Sequence, residues 1–584
     1  MKPTIFILPF LMLLWWSAGA QEVEKQVEVR KTYTPKVEHA EKLSILPNMR
    51  DTTRLHPEID YTITPLSLST QFAVEPIRPA SVTYWEFNRP HTSYIKAGAG
   101  YPLNSVVDVY ASTQNSGTGY VVGYLNHEGQ FQKLKNDFGI KNRSRTMLNR
   151  AGVAAGKYLG RYVLEGDLRF ENRLHDRYGM YADDQELAAG SEYAAIPGSM
   201  ASFSTMDLML RFGDDFQDLN RTNIELTVRG GGFFDHSEWI APMGKAREMT
   251  LNADFRIARK LRQHTLRFDA GYELLRGFKS ISDHREQTFR AALHYGTIRP
   301  MWQIESGAEF FYTDIRHGKN DWFLLPYVRA TWDFGMQHLV PFVEVDGTLH
   351  NNDYRTLSEV NPYLTPNSWD EGKSVDYNLR AGFSGSLWHN KISYRIYGGA
   401  SSLKDHLTWY GVHTGTPADP MRGALIALEP ARHDITELSF NSELLLRPIS
   451  ALSFNIAFHA YHYDNDSIFG IGLPAFRGRF AAKYDHPKFT IDLSADLESE
   501  RWWTMLYNGG IDMEDGTIID ENREQGTKYE APLAVDVSVA FRWKLNAKTG
   551  LFIEGFNLAN ADLYRQPWYR LRGAGFTAGI KMQF

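Results

Sequence analysis

The sequence predicts an all-β protein: a transmembrane antiparallel β-barrel of roughly 20–22 strands with a short extended N-terminal segment. Three observations carry that expectation. Apolar and polar residues alternate from about residue 94 to the end of the chain. The connections between alternating segments are short and long by turns. Tryptophans stand where segments meet the short connections.

The alternation is strict in many places. In TNIELTVRG, Ile224, Leu226 and Val228 oppose Glu225, Thr227 and Arg229. In MTLNADFRI, Met249, Leu251, Ala253, Phe255 and Ile257 oppose Asn252, Asp254 and Arg256. The segments around residues 266–273, 375–383, 489–496 and 535–544 repeat the pattern. A period of two gives a strand one apolar face. Taken alone, that face fits a soluble sandwich or propeller as well as a barrel in lipid.

The connections and the charges separate these readings. RKLRQH, GTIRPM, DFGMQH, LWHNK, LRPISA, YDHPK and KLNAKTG are short; the stretches near 173–200, 350–372, 402–432 and 499–530 are long. Outer-membrane barrels have short periplasmic turns and longer outer loops. Trp302 follows a short turn, and Trp332, Trp388 and Trp543 precede others, as a periplasmic aromatic girdle requires. The faces opposite the apolar ones carry full charges, including Arg229, Arg256, Arg380, Asp492 and Asp536. These are costly in a dry core and acceptable facing a wet lumen.

Composition agrees. Aromatics reach 13% of 584 residues while the mean hydropathy is only −0.39, so apolar residues are plentiful but interleaved. Beyond the first 20 residues no apolar run of about 18 residues occurs, which excludes helical membrane spans. Cysteine is absent, which removes disulfides, thiolate metal sites and a cysteine nucleophile. A net charge of −6 gives no basic footprint for nucleic acid.

The chain divides into three parts. Residues 1–20 read as a secretory signal peptide: Lys2, an apolar IFILPFLMLLWW, then small residues at Ala18 and Ala20. Residues 21–90 are punctuated by Pro35, Pro47, Pro57, Pro65, Pro76 and Pro79 and read as an extended periplasmic or lumenal segment. Residues 91–584 carry the barrel pattern. Its last segment, GFTAGIKMQF, puts Phe576, Ile580 and Phe584 on one face, so the final strand is expected to close the barrel against the first with those side chains in lipid.

The C-terminal stretch FIEGFNLANADLYRQPWYRLRGAGFTAGIKMQF resembles the end of TonB-dependent receptor barrels, through Asn557, Leu558, Asn560, Tyr564, Gly573, Phe576, Gly579 and Phe584. The stretches VEVRKTYTP, PEIDYTI and FAVEPIRPA are similar to the leader of a Bacteroidetes subgroup of receptor-like barrels. The resemblance implies an outer-membrane location, solute (nutrient) passage or binding, and recognition of the terminal aromatic strand by the barrel assembly machinery. It also implies a surface lipoprotein or periplasmic protein as partner. One departure stands out: about 70 residues between Gln21 and Pro90 are too few for the family's complete plug domain. VEKQVEVRK occupies the place of a TonB box without matching one closely. A second reading is a non-transporting scaffold barrel that docks partners in an envelope assembly or secretion complex.

Candidate sites are few. Trp409 and Tyr410 in LTWYGV, and Trp502, Trp503 and Tyr507 in RWWTMLYNGG, are expected in outer loops, where aromatics stack on sugars, anchor a partner or pack among themselves. The inward charges either select solutes or solvate a wide lumen. His459, Tyr461, His462 and Asp464 suggest a metal, but alternation puts the two histidines on opposite faces, so rim polarity is the expectation. Ser453 and His459 share a face about 20 Å apart, too far for a nucleophile and its base. No enzyme, metal or cofactor is expected.

Overall fold

In the computed structural model the alternating segments become a closed antiparallel barrel. Described residues are 93–584, apart from 114–117, 136, 138–140, 180–199, 215–218, 238–244, 317–319, 336, 367–368, 370–371, 414–425, 466–469 and 508–526. The signal-peptide expectation and the segment 21–90 lie outside the described residues.

The strands follow in chain order. First come β1 (Ser93–Tyr101), β2 (Asn104–Ser112), β3 (Gly119–Lys135), β4 (Lys141–Leu159), β5 (Tyr162–Asp176) and β6 (Met200–Asp214). Next are β7 (Asn223–Asp235), β8 (Ala246–Leu261), β9 (His264–Lys279), β10 (Arg285–Ile298), β11 (Trp302–Ile315), β12 (Asp321–Trp332) and β13 (Val340–Asn351). After helix α1 (Tyr354–Val360) come β14 (Lys373–Leu387), β15 (Ile392–His413), β16 (Ile426–Ile449), β17 (Leu452–Asn465), β18 (Phe476–His486) and β19 (Phe489–Glu498). The last are β20 (Arg501–Tyr507), β21 (Thr527–Ala531), β22 (Ala534–Lys544), β23 (Thr549–Phe556), β24 (Tyr564–Gln566), β25 (Tyr569–Arg570) and β26 (Gly575–Gln583).

Among these, 22 strands form the wall, each paired to its sequence neighbour, with β19 passing to β22 and β23 to β26. That count is the upper end of the expected range. β26 then pairs with β1 from Tyr94↔Gln583 to Tyr101↔Phe576. Past the strand end, Phe584 N–H donates to Ser93 O at 2.8 Å. Closure satisfies the edges that β1 and β26 would otherwise show, which is the condition for those strands to survive in hydrocarbon.

Apolar side chains stand exposed on the outside: Leu208 and Leu210, Met249 and Leu251, Phe289 and Leu293, Phe576, Ile580 and Phe584 among them. A face this apolar left open to solvent has lipid as its natural surrounding. At the short-turn end Trp302 and Trp332 lie opposite each other across β11 and β12, and Trp388 and Trp543 are exposed at the same end of other strands.

The inner face is a lattice of cross-strand ion pairs. Arg211 sits 2.6 Å from Glu165 and 2.8 Å from Glu225, and Arg290 is 3.1 Å from Glu309. Such pairs contribute roughly 0.2–1 kcal/mol each and fix strand register.

Two expectations about the connections need correction. The stretch 402–432 is not a loop: β15 runs to His413 and β16 begins at Ile426, so paired strand projects far beyond the wall. Likewise 499–530 holds β20 and β21. Parts of these extensions pack against other outer segments, where Trp409, Leu428, Trp503 and Met505 are buried, while Lys404, Trp502, Lys528 and Glu530 stay exposed. Short and long connections also alternate imperfectly, because β1 and β2 are joined at the long-loop end by a link spanning only 102–103.

Candidate functional site

At the outer end a folded piece of the wall itself leans inward across the barrel. Every neighbouring pair of wall strands stays hydrogen-bonded to the end of the shorter strand, among the described residues, except β12 and β13. These pair only from Thr331↔Phe342 to Val328↔Val345, although β12 continues to Asp321 and β13 to Asn351.

The cause is a proline. Asp333 N–H donates to Met301 O at 2.8 Å, so the odd-numbered residues of β12 direct their hydrogen bonds to β11. The even ones, Val328 and Ala330, serve β13. The next even position is Pro326, which has no N–H to give. The ladder stops there.

Above that point β13 and β14 leave the wall together, still paired to each other as far as Asn351↔Lys373. Asn351 Nδ2 donates to Glu273 of β9 at 2.6 Å. The almost fully buried Lys373 ammonium sits against Glu286 of β10, with Glu273 3.7 Å away. Four strand spacings along a wall measure about 19 Å, so β13 can reach β9 only by leaning inward over β10–β12.

The connection carried by this hairpin, residues 352–372, holds α1. Asp353 caps the helix by accepting from Thr356 N–H at 2.5 Å. Pro362 ends it, since the residue before a proline disfavours helical backbone. Asn361 Oδ1 then accepts from Tyr363 N–H at 2.8 Å.

Four wall strands clasp α1 and its flanks. Arg355 makes a two-pronged pair with Asp207 of β6 at 2.8 and 2.9 Å. Tyr354 O–H donates to Asp235 of β7 at 2.8 Å, and its N–H to Glu248 of β8 at 3.0 Å. Arg173 of β5 reaches Ser358 Oγ at 2.8 Å and Glu359 at 3.3 Å. Burial, together with the Asp235 carboxylate, pushes the Tyr354 phenol well above its ordinary value, so it remains a neutral donor.

Behind these polar contacts lies an apolar core. Tyr354, Leu357, Tyr363 and Leu364 pack with Phe203, Phe233, Trp409, Leu428 and Tyr569. The outer extensions add a second layer, where Trp568 and Met505 pack with Tyr529. Asp137 ties that layer by accepting from Tyr529 O–H at 2.5 Å and Tyr564 O–H at 2.7 Å.

Removing the phenolic hydroxyl tests the clasp directly. Tyr354→Phe is expected to weaken docking of residues 352–372 by about 1–3 kcal/mol, because a buried carboxylate loses a donor. Faster amide exchange confined to α1 is the readout; unchanged exchange would mean that the contact holds nothing.

The sequence-predicted residues divide clearly. Trp409 and Trp503 are only 5% and 3% exposed, so of the readings open to these aromatics the two take packing within the outer segments. Trp502 is 41% exposed, Tyr410 is half-buried, and the Tyr507 backbone pairs with His413 of β15. The charges meant for the lumen are on the inner face, each with a partner. Arg229 meets Asp254 at 2.8 Å, Arg256 meets Asp269 at 2.8 Å, and Arg380 meets Asp346 at 2.7 Å. Asp492 meets Arg542 at 2.7 Å, and Asp536 accepts from Asn557 N–H at 3.1 Å. His459 Nδ1 lies 2.6 Å from Asn441 Oδ1.

Pro326, Asp207, Asp235, Tyr354 and Arg355 escaped sequence reasoning. A proline inside an alternating segment was the available signal for the first. Nothing local distinguishes the other four.

No protein-family model matches the chain, and no curated protein matches it in sequence. Solved structures do. The siderophore receptor PirA from Acinetobacter baumannii superposes with a TM-score of 0.63 at 9% identity, over 86% of this chain and 81% of that one. The FrpB iron transporter from Neisseria meningitidis gives 0.61 at 10% identity, over 85% and 82%. The copper transporter OprC gives 0.59 at 13% identity, over 85% and 81%. At such identities the likeness is one of fold: a closed barrel of the kind these receptors and transporters have.

Proposed function

We propose that this chain is an outer-membrane, receptor-like barrel for passage or binding of a solute, and that the β13–β14 hairpin with α1 is its gate. The observation that carries the reading is the departure of that hairpin from the wall above Pro326 and its clasping by β5–β8 across the mouth. A 22-stranded barrel encloses a lumen wide enough to need closing. The fold it shares with siderophore and metal transporters supports passage over catalysis. A scaffold that merely docks partners has no use for a lid held by ion pairs, and nothing in the mouth favours that reading.

The inward charges Arg229, Arg256, Arg380, Asp492 and Asp536 then act as paired elements of a polar lumen, available to exchange partners with a passing solute. Phe576, Ile580 and Phe584 on the lipid face of β26 are the proposed signal for barrel assembly.

Conductance tests the gate. Purified protein in planar bilayers is expected to be mostly closed, with Arg355→Ala opening briefly and about ten- to a hundredfold more often, the loss of a charged hydrogen-bonded pair of about 1.5–3 kcal/mol. Identical records for the two proteins would remove α1 from the gating role.

A further inference from the structure

Beneath the in-folded hairpin lies a cavity of about 340 Å³. Its inner wall presents Asp254, Glu273, Arg290 and Glu309, its break-side edge is formed by Leu325, and the hairpin residues 347–349 roof it. The carboxylates already hold neighbours: Asp254 pairs with Arg229, Glu309 with Arg290, and Glu273 accepts from Asn351. The lining itself presents three acids to one arginine, and a head group that donates hydrogen bonds would take the place of Arg229 at Asp254 and of Asn351 and Lys373 at Glu273.

The same break that freed the hairpin lies at the Leu325 edge of this cavity. Outside the break, Trp322 is 69% exposed and Leu324 is also open, and Tyr312 lies across from Trp322 at the outer rim. That aromatic pair marks the outer interface. Leu325 points the other way, is almost fully buried, and lies so close to β13 that a Cβ on Gly347 would stand 2.8 Å from its own. Leu325 and Gly347 therefore close the seam by contact alone, with no ladder hydrogen bond to break for it to part.

We propose that the β12–β13 seam is a lateral entry for a single-chain amphipath with a hydrogen-bond-donating, ammonium-like head. The head lies among Asp254, Glu273 and Glu309, and the chain passes between Leu325 and Gly347 into the outer leaflet. The cavity is at the lower end of ligand-site volumes, about 300–1,000 Å³, so it holds a head and a few carbons; a two-chain lipid is too large.

The absence of native cysteine makes the seam lockable. Leu325→Cys with Gly347→Cys places two thiols across it, near enough for a disulfide after a small adjustment. The probe is a dodecylamine carrying a photoactivatable diazirine in its chain, added to full-length protein in lipid nanodiscs. Labelling of the cavity residues Thr348 and Leu349, which face away from the lipid, is expected in the native protein and the reduced variant, lost on oxidation and regained with dithiothreitol. A dodecyl sulfate bearing the same diazirine is expected to label weakly. Equal labelling before and after oxidation, or equal labelling by the anionic probe, would overturn the proposal.

Should the double variant fail to assemble, Pro326→Ala serves instead. It restores the missing donor, and seam labelling is expected to fall. No decrease would count against a lateral entry. The outcome is separable from the gate: a barrel that conducts as proposed yet resists seam labelling loses only this entry, and seam labelling without Arg355-dependent conductance spares it.

Discussion

Replacing residues 353–371 with a short glycine–serine linker is expected to convert a nearly silent barrel into a permanently conducting one. The magnitude follows from what the segment buries. Tyr354, Leu357, Tyr363 and Leu364 are all nearly inaccessible, and each such side chain contributes about 1.5–3 kcal/mol. Four give about 6–12 kcal/mol before the entropy of ordering the loop is subtracted. That is an upper bound, yet it exceeds the single Arg355 pair several-fold. The point substitution should therefore produce rare openings and the deletion continuous current. Single-channel recording distinguishes them. A deletion variant that stays closed would place the barrier elsewhere, and residues before 93 would become the next segment to remove.

Gly579→Val is expected to abolish assembly of the barrel. Gly579 pairs with Gly98 where the last strand meets the first. A Cβ there would lie 2.6 Å from the Gly98 Cα and within overlap of the Ala97 carbonyl oxygen. These are backbone atoms, so no rotamer change relieves the clash and the strands must part. Parting them in lipid strands N–H and C=O groups at several kcal/mol each, which overwhelms a domain stability of about 5–15 kcal/mol. The expected readout is loss of the heat-modifiable, protease-resistant form on gels. Gly230→Ala is the control, because a Cβ at Gly230 meets nothing within 4 Å. If the Gly579 variant folded as well as the control, β1–β26 closure would not be the event that completes the barrel.

How much of this was legible in advance can be judged on single residues. Leu208, Leu251, Phe289 and Phe576 face outward as their alternation requires, and the rim tryptophans lie at the short-turn end. Trp409 and Trp503 could not be assigned in advance, because the local sequence of an outer aromatic is the same whether it meets a ligand or another outer segment. Alternation puts the charged side chains on one face of their strands, but their partners lie elsewhere in the chain, mostly on adjacent strands, and alternation says nothing about pairing.

By itself the sequence determined a lipid-facing barrel, its approximate strand number, the face each strand shows the membrane and the closing role of the C-terminal strand. Each of these depends on the hydrophobicity of a residue relative to its immediate neighbours, and a hydrocarbon surround enforces that rule at every outward position. Only the tertiary structure decided that β13 and β14 abandon the wall. Val343 and Val345 alternate with Glu344 and Asp346 as in any wall strand. What moves them is a donor missing at Pro326 on the strand beside them, together with acceptors at Asp207, Asp235 and Glu273 more than 70 residues away along the chain. Interactions over that separation leave no local period, so the mouth could be read only after the chain had folded.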